Sequence, residues 1–157
     1  MQQRMKDFTM TDEAIHALLE RAPVGRISTL GEDGWPYTVA VHFVWVDGQV
    51  YFHGLPRGEK LANIARDSRV CFECDELTGI LYEGVTDPCK ADAAYESVVI
   101  RGRAGLLTDP EEKLPILRAI IGKYVPSMAE APIAPAMLAG TAVVKVTPER
   151  ITGKYHE

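Results

Sequence analysis

The sequence lacks an excess of positive charge, a long apolar run and any complete metal-ligand spacing, and each absence removes a class of function. Lysine and arginine total 17 against 22 aspartates and glutamates, for a formal net charge of −5. Sequence-independent nucleic-acid binding needs a basic footprint, so nucleic acid is not an expected partner. No window approaches the roughly 20 apolar residues that cross a bilayer, so no membrane partner is expected either. The segment MQQRMKDFTM is too polar for a secretion signal, which makes a cytoplasmic location the expectation. Cysteines are few: Cys71, Cys74 and Cys89. Cys71-Phe72-Glu73-Cys74 has the CxxC spacing of metal and redox sites. It lies in an apolar strand pattern, however, where positions three apart face opposite ways. No second CxxC or nearby histidine pair completes a zinc site, so free thiols and no metal are expected. GxSxG, HExxH, a Walker loop and a GxGxxG after a strand are also missing. That leaves cofactor chemistry, in which a bound organic molecule does the hard step and the protein positions it.

What is present fits one domain spanning 1–157. The 157 residues, 46% hydrophobic and 25% charged, suffice to bury a core without staples. Thr11 is a good N-cap before Asp12-Glu13, and Ile15, Leu18, Leu19 and Ala22 recur at helical spacing as far as Pro23. Val24 to Leu30 reads as a strand, Gly31 to Gly34 as a turn, and Tyr37 to Val46 as one long strand. Asp47-Gly48 is the strongest hairpin signal, with Gln49 to His53 returning. A short helix is expected from Lys60 to Arg66, with Leu61, Ile64 and Ala65 inward. Strands follow at Arg69–Asp75 and Gly79–Glu83, then a loop over Gly84–Ala94. Ser97 to Leu107 is a further strand, with Gly102 and Gly105 marking bulges or bends. Asp109-Pro110-Glu111-Glu112 opens a helix with a buried stripe of Leu114, Leu117, Ile121 and Tyr124. Ala129 to Gly140 is Ala/Pro-rich and reads as a mobile or partner-packed segment, with one helical turn at Ala136–Ala139. A last strand covers Thr141–Thr147, and Ile151 to Lys154 trails from it. Six or seven strands with three peripheral helices make a mainly β protein, a closed or nearly closed antiparallel barrel.

Three constellations carry chemistry. The loop Gly54-Leu55-Pro56-Arg57-Gly58-Glu59-Lys60 leaves a strand and enters a helix. Arg57, Lys60 and the free N–H groups of a helix start after Gly58 suit a phosphate such as that of flavin mononucleotide (FMN). A loop of solvated charges is the plainer reading, and Glu59 counts against an anion. The strand Thr38-Val39-Ala40-Val41-His42 can offer a flat surface and backbone groups to a planar ring, with Ala40 allowing close approach. It is otherwise a core strand. His42 and His53 fall on the two arms of the hairpin, opposite each other or one position apart. They face a ligand as proton donors, or one is structural and the other on the surface. His16 and His156 carry no signal.

The ordered set MTDEAIHALLERAPVGRISTLGEDGWPYTVAVHFVW, DGQVYFHGLPRGEKLANIARDSRVCFE, YESVVIRGRAGLLTDPEEK and TAVVKVTPERITGK resembles the pyridoxamine 5′-phosphate oxidase-like FMN-binding split barrels. Within them it is similar to the nitroimidazole-resistance branch, and the resemblance runs from about Met10 to Lys154. It implies an antiparallel Greek-key split barrel and a homodimer with the cofactor at the subunit interface. Thr38, Val39, Ala40, Val41 and His42 would meet the flavin ring, and Lys60, with Arg57 and Gly58, its phosphate. Phe52, His53 and Gly54 would line the site, and Ser97 would reach the flavin from the partner subunit. His53 would be the catalytic candidate, as proton donor. The implied activity is an FMN-dependent oxidoreductase acting on a small aromatic or nitro compound, with NAD(P)H as electron donor. The alternative is a non-catalytic flavin or haem carrier or sensor, and flavin adenine dinucleotide (FAD), a deazaflavin or haem would replace FMN in related barrels. The oxidases proper carry Ser-Arg-Lys at the phosphate loop, where this chain has Gly58-Glu59-Lys60, which argues against pyridoxamine phosphate as substrate.

Overall fold

Asp47 and Gly48 take φ of 50° and 74°, the backbone that a tight two-residue hairpin turn requires. The turn joins β3 (Phe43–Val46) to β4 (Gln49–Gly54), with Phe43 opposite Phe52 and Val46 opposite Gln49. In the computed structural model, which describes residues 8–157, five more strands complete the sheet. They are β1 (Gly25–Leu30), β2 (Pro36–Val41), β5 (Arg69–Leu81), β6 (Asp92–Leu107) and β7 (Ala142–His156). The order is β2-β1-β5-β6-β7-β4-β3, and every pairing is antiparallel. The reading of MQQRMKDFTM as too polar for a secretion signal rests largely on residues 1–7, outside the described residues.

The two strands at the ends of that order are separated in the chain by His42 alone. The sheet therefore rolls until its ends meet in one bent ribbon, and the barrel is split at the bend. This corrects the single strand expected over Tyr37–Val46. Its first part pairs with β1 and its second with β4, so the backbone must turn between them. Alternation buries Ile27, Phe43, Phe52, Phe72, Val98, Ile100 and Val144 in one core. The first helix, α1 (Asp12–Arg21), starts where Thr11 Oγ1 accepts the Ala14 N–H at 3.2 Å. It buries Ile15, Leu18 and Leu19 in that core.

The strands run longer than their hydrophobic patterns. The strands expected at Arg69–Asp75 and Gly79–Glu83 merge into one, β5, which is continuous through a register shift between Leu77 and Gly79 and ends at Leu81, short of Glu83. The stretch read as a loop over Gly84–Ala94 holds only a short turn before β6 begins at Asp92. Ile151 to Lys154 does not trail but pairs with β6 as part of β7. In all three places the ladder partner extends a strand whose own pattern has faded. Gly102 sits at a register shift as expected, but Gly105 pairs regularly with Lys145.

Helix α2 (Glu59–Arg66) buries Leu61, Asn63 and Ile64, whereas Ala65 is exposed. In α3 (Pro110–Tyr124), Ile116, Leu117 and Ile120 are buried, against a second core of Val44, Tyr51 and Val143. Leu114, Ile121 and Tyr124 sit only half-buried at the edge of that face. The Ala/Pro-rich segment forms a turn at Pro126–Met128 and the short helix α4 (Pro135–Gly140). Among the described residues no helix is long and apolar enough to cross a membrane.

The bend is held by Tyr124, the last residue of α3. Its hydroxyl accepts the N–H of Phe43 at 2.8 Å and stands 2.9 Å from the carbonyls of Phe43 and Pro23, which share its single proton. Phe43 is fully buried, so no solvent would replace this oxygen. Tyr124→Phe is expected to cost about 1–3 kcal/mol, the penalty for orphaning a buried N–H. Urea unfolding measures it, and an unchanged midpoint would mean that water reaches Phe43.

Candidate functional site

Strand β4 ends at Gly54, and the chain turns through Leu55-Pro56-Arg57 to Gly58, which caps α2 without a side-chain bond. Gly58 takes φ 127°, a conformation L side chains rarely adopt. Its carbonyl receives the N–H groups of Leu61 and Ala62 at 3.1 Å. The N–H groups of Glu59 and Lys60, first in the helix, have no acceptor within it.

Asn63 fastens this helix to the sheet. Its Nδ2 donates to Thr29 Oγ1 at 3.1 Å, and that hydroxyl donates to the Tyr37 carbonyl at 3.3 Å. Arg66 donates to Asn63 Oδ1 at 3.1 Å and to the Leu30 carbonyl. Thr29 and Asn63 are the buried polar residues of the described chain. Their bond fixes the start of α2 against β1 and β2. Sequence reading turned Ala65 inward and missed Asn63, because polarity alone marks it as a surface residue.

Between the loop and β2 lies a groove of about 260 Å³, walled by Tyr37, Val39 and Ala40 on one side and by Leu55, Arg57 and Lys60 on the other. Among the described residues, strand β2 pairs only with β1, so its second edge has no strand partner there. Lys60 is half-buried, with its ammonium 4.8 Å from the centre of the Phe52 ring. Burial pulls its pKa down. Among the described residues no carboxylate pairs with Lys60 or with the exposed Arg57. A buried cation without a counter-charge is costly, and an anion in the groove would relieve that cost. Glu59 also borders the groove, although it is exposed.

A second hollow of about 180 Å³ opens at the bend, lined by Val24, Ala40, Val41 and His42. Ala40 borders both, so they adjoin along β2. The His42 ring stacks on Tyr124 with centroids 4.7 Å apart. The hairpin's paired register ends at Phe43–Phe52, so His42 and His53 lie just beyond it, close enough for the charge of one to act on the other. Partial desolvation lowers the His53 pKa, and the charges of His42 and Lys60 lower it further.

The expected residues thus divide. Val39, Ala40, Val41, His42, Arg57, Gly58 and Lys60 border the two hollows. His53 and Gly54 lead into the loop, Gly54 paired with Ala142. Phe52 is fully buried and serves as the ring beneath Lys60. Thr38 points to the other face, where its hydroxyl meets Ser28 Oγ at 2.8 Å. Ser97 lies on β6, between Asp75 and Lys154, and borders neither hollow of its own chain. Tyr37 and Tyr124 were not singled out as site residues, and only the register of β2 and the docking of α3 reveal them. Cys71 and Cys74 sit on opposite faces of β5, and burial pushes the Cys74 thiol up to about 12, which leaves it inert.

The chain matches the sequence profile described as pyridoxamine 5′-phosphate oxidase over residues 11–155. No curated protein matches it in sequence. Among solved structures it is similar to a candidate 5-nitroimidazole antibiotic resistance protein of Bacteroides thetaiotaomicron, with 23% identity, TM-score 0.83, and 94% of this chain and 86% of that one covered. It is also similar to the flavocytochrome Anf3 of Azotobacter vinelandii, with 21% identity, TM-score 0.85, and coverage of 99% and 72%. A third is an FAD and haem binding protein of Mycobacterium smegmatis, with 19% identity, TM-score 0.82, and coverage of 94% and 72%. At these identities the likeness is one of fold, and that fold is the split barrel.

Proposed function

Since the chain belongs to the pyridoxamine 5′-phosphate oxidase family, we propose that it is an FMN-binding, homodimeric oxidoreductase that reduces a small aromatic or nitro compound with electrons from NAD(P)H. The observation that carries this reading is Lys60, half-buried, without a carboxylate partner among the described residues, and set at a helix start across a groove from a free strand edge. Lys60 and Arg57 would hold the phosphate together with the first N–H groups of α2. The edge of β2 at Ala40 and Val41 would receive the ring, beside His42. The flavin supplies hydride and electron transfer when bound. The protein's part is to place the ring, exclude water and hold a proton donor nearby, the role assigned here to His53.

The hollows are shallow for a whole flavin, which favours a second copy closing the site and bringing its Ser97 face to the ring. A second reading, a haem carrier, rests on the closeness of His42 and His53 at the end of the hairpin. The described similarities to a flavocytochrome and to an FAD and haem binding protein keep it in play.

An absorption spectrum of the purified protein separates the readings. The expected result is a flavin spectrum, bleached by NAD(P)H and restored by a nitroaromatic acceptor. A Soret band would replace this reading with the haem one, and a colourless protein that takes up no added FMN would end both.

His53→Gln is expected to slow substrate reduction while leaving FMN affinity near wild type. It also has a pH signature. The folded His53 holds its proton less tightly than an unfolded histidine, so wild-type stability falls as pH drops from the ordinary histidine range through its depressed value. The variant should lose less stability over that window. Equal pH dependence in urea titrations of the two proteins would mean that folding leaves the proton affinity of His53 unchanged.

A further inference from the structure

We propose that the groove continues past the phosphate seat to a purine platform on Trp35, so that the chain binds an adenine dinucleotide. This rests on the reading of the Lys60 loop as a phosphate seat. Tryptophan is among the more buried residue types on average, yet Trp35 is 74% exposed. Its backbone is fixed in place. The main-chain N–H donates to Asp33 Oδ1 at 3.0 Å, and the main-chain carbonyl accepts the Gly31 N–H at 2.7 Å. The second of these bonds carries the β1–β2 ladder one step beyond the Leu30–Pro36 pair. Opposite Trp35 stands Gly31, which has no side chain to cover the indole.

Strand alternation puts Trp35 on the same face as Tyr37 and Val39, the two residues that wall the groove facing Arg57 and Lys60. Read along β2, the order is His42 and Ala40 at the ring hollow, Val39 and Tyr37 at the cations, then Trp35. At about 3.3 Å per residue, Trp35 lies roughly 7 Å beyond Tyr37, a step a nucleoside joined to a second phosphate can cover. Cations follow the same line. Arg57 and Lys60 stand at the phosphate seat, and Arg66, held on the Leu30 carbonyl, brings a guanidinium towards the Trp35 end. An indole face beside these charges suits a purine, which stacks on aromatic rings whatever its hydrogen-bond edge.

The shared chemistry is an adenosine diphosphate moiety, which FAD brings as a cofactor and NAD(P)H brings as a reductant. Titrations of FMN, FAD and ADP against wild type, Trp35→Ala and Trp35→Phe decide it, with NAD(P)H KM measured on the FMN-loaded protein. The expected result is that Trp35→Ala weakens FAD and ADP at least about tenfold while FMN stays within about twofold. Trp35→Phe should recover most of the loss. If FAD is unaffected but ADP affinity falls and the NAD(P)H KM rises, the purine is that of the reductant. The inference is overturned if FAD, ADP and NAD(P)H are all unmoved by Trp35→Ala. It is overturned equally if the variant only turns a dimer into monomers, which would place the indole between two copies. Failure of wild type to bind FMN would remove the flavin reading alone, because the ADP titration still decides Trp35.

Discussion

Lys60→Ala is expected to weaken FMN binding by roughly ten- to a hundredfold, the effect of losing one charge-assisted contact worth about 1.5–3 kcal/mol. Riboflavin, which has the same ring without the phosphate, should bind wild type and variant alike. That pairing isolates the anion from the ring. Stability should move the other way. Burial depresses the Lys60 pKa, so the folded protein resists the charge that the unfolded chain accepts freely, and at neutral pH the ammonium subtracts from stability. Lys60→Met keeps the contact with Phe52 and removes the charge, so the apo variant should unfold at equal or higher urea than wild type. Raising the pH through the depressed Lys60 value should weaken FMN binding to wild type, because the cation is lost, and leave the methionine variant unmoved. Unequal losses are the signature of a phosphate seat. If riboflavin affinity falls as far as FMN affinity in Lys60→Ala, the lysine supports the ring or the fold, and the anion site is elsewhere.

The loop before α2 was legible because its signals are local. Asp47-Gly48 fixed a turn, glycine at 58 allowed a backbone that other residues resist, and Lys60 followed within one helical turn. Counting outward from the turn set His53 opposite His42 or one position away, and the paired register reaches as far as Phe43–Phe52. What stayed hidden depends on contacts distant in sequence. The break at His42 exists because two different strands, β1 and β4, claim the two parts of one apolar run. The buried role of Asn63 needs Thr29, 34 residues away. Tyr124 reaches Phe43 across 81 residues. The wall at Tyr37 depends on where α2 docks. Periodicity sees one element at a time, so it located the pieces of the groove without their junctions.

The junction between β6 and β7 gives the largest expected effect on stability. A Cβ added at Gly102 would stand 2.2 Å from the Thr147 carbonyl oxygen, 3.0 Å from its carbonyl carbon and 3.1 Å from Pro148 Cα. All three are backbone atoms, so no side chain can swing aside. Gly102 faces Pro148 at the register shift, and proline, which donates no ladder bond, belongs at such a bulge. Flanking residues Ile100, Ala104 and Val146 lie in the core, which prevents either strand from backing away without opening a void. Gly102→Ala is therefore expected to cost about 3 kcal/mol, at the upper end for overpacking. Gly105→Ala is the matched control, because it lies on the same strand, pairs regularly with Lys145 and has nothing within 4 Å of the added carbon. Urea midpoints should separate the two variants clearly, with Gly105→Ala close to wild type. Similar midpoints would mean that the strands part easily at Pro148. That outcome would also weaken the account of the groove, since β7 is the strand that holds β4, and with it His53, in register.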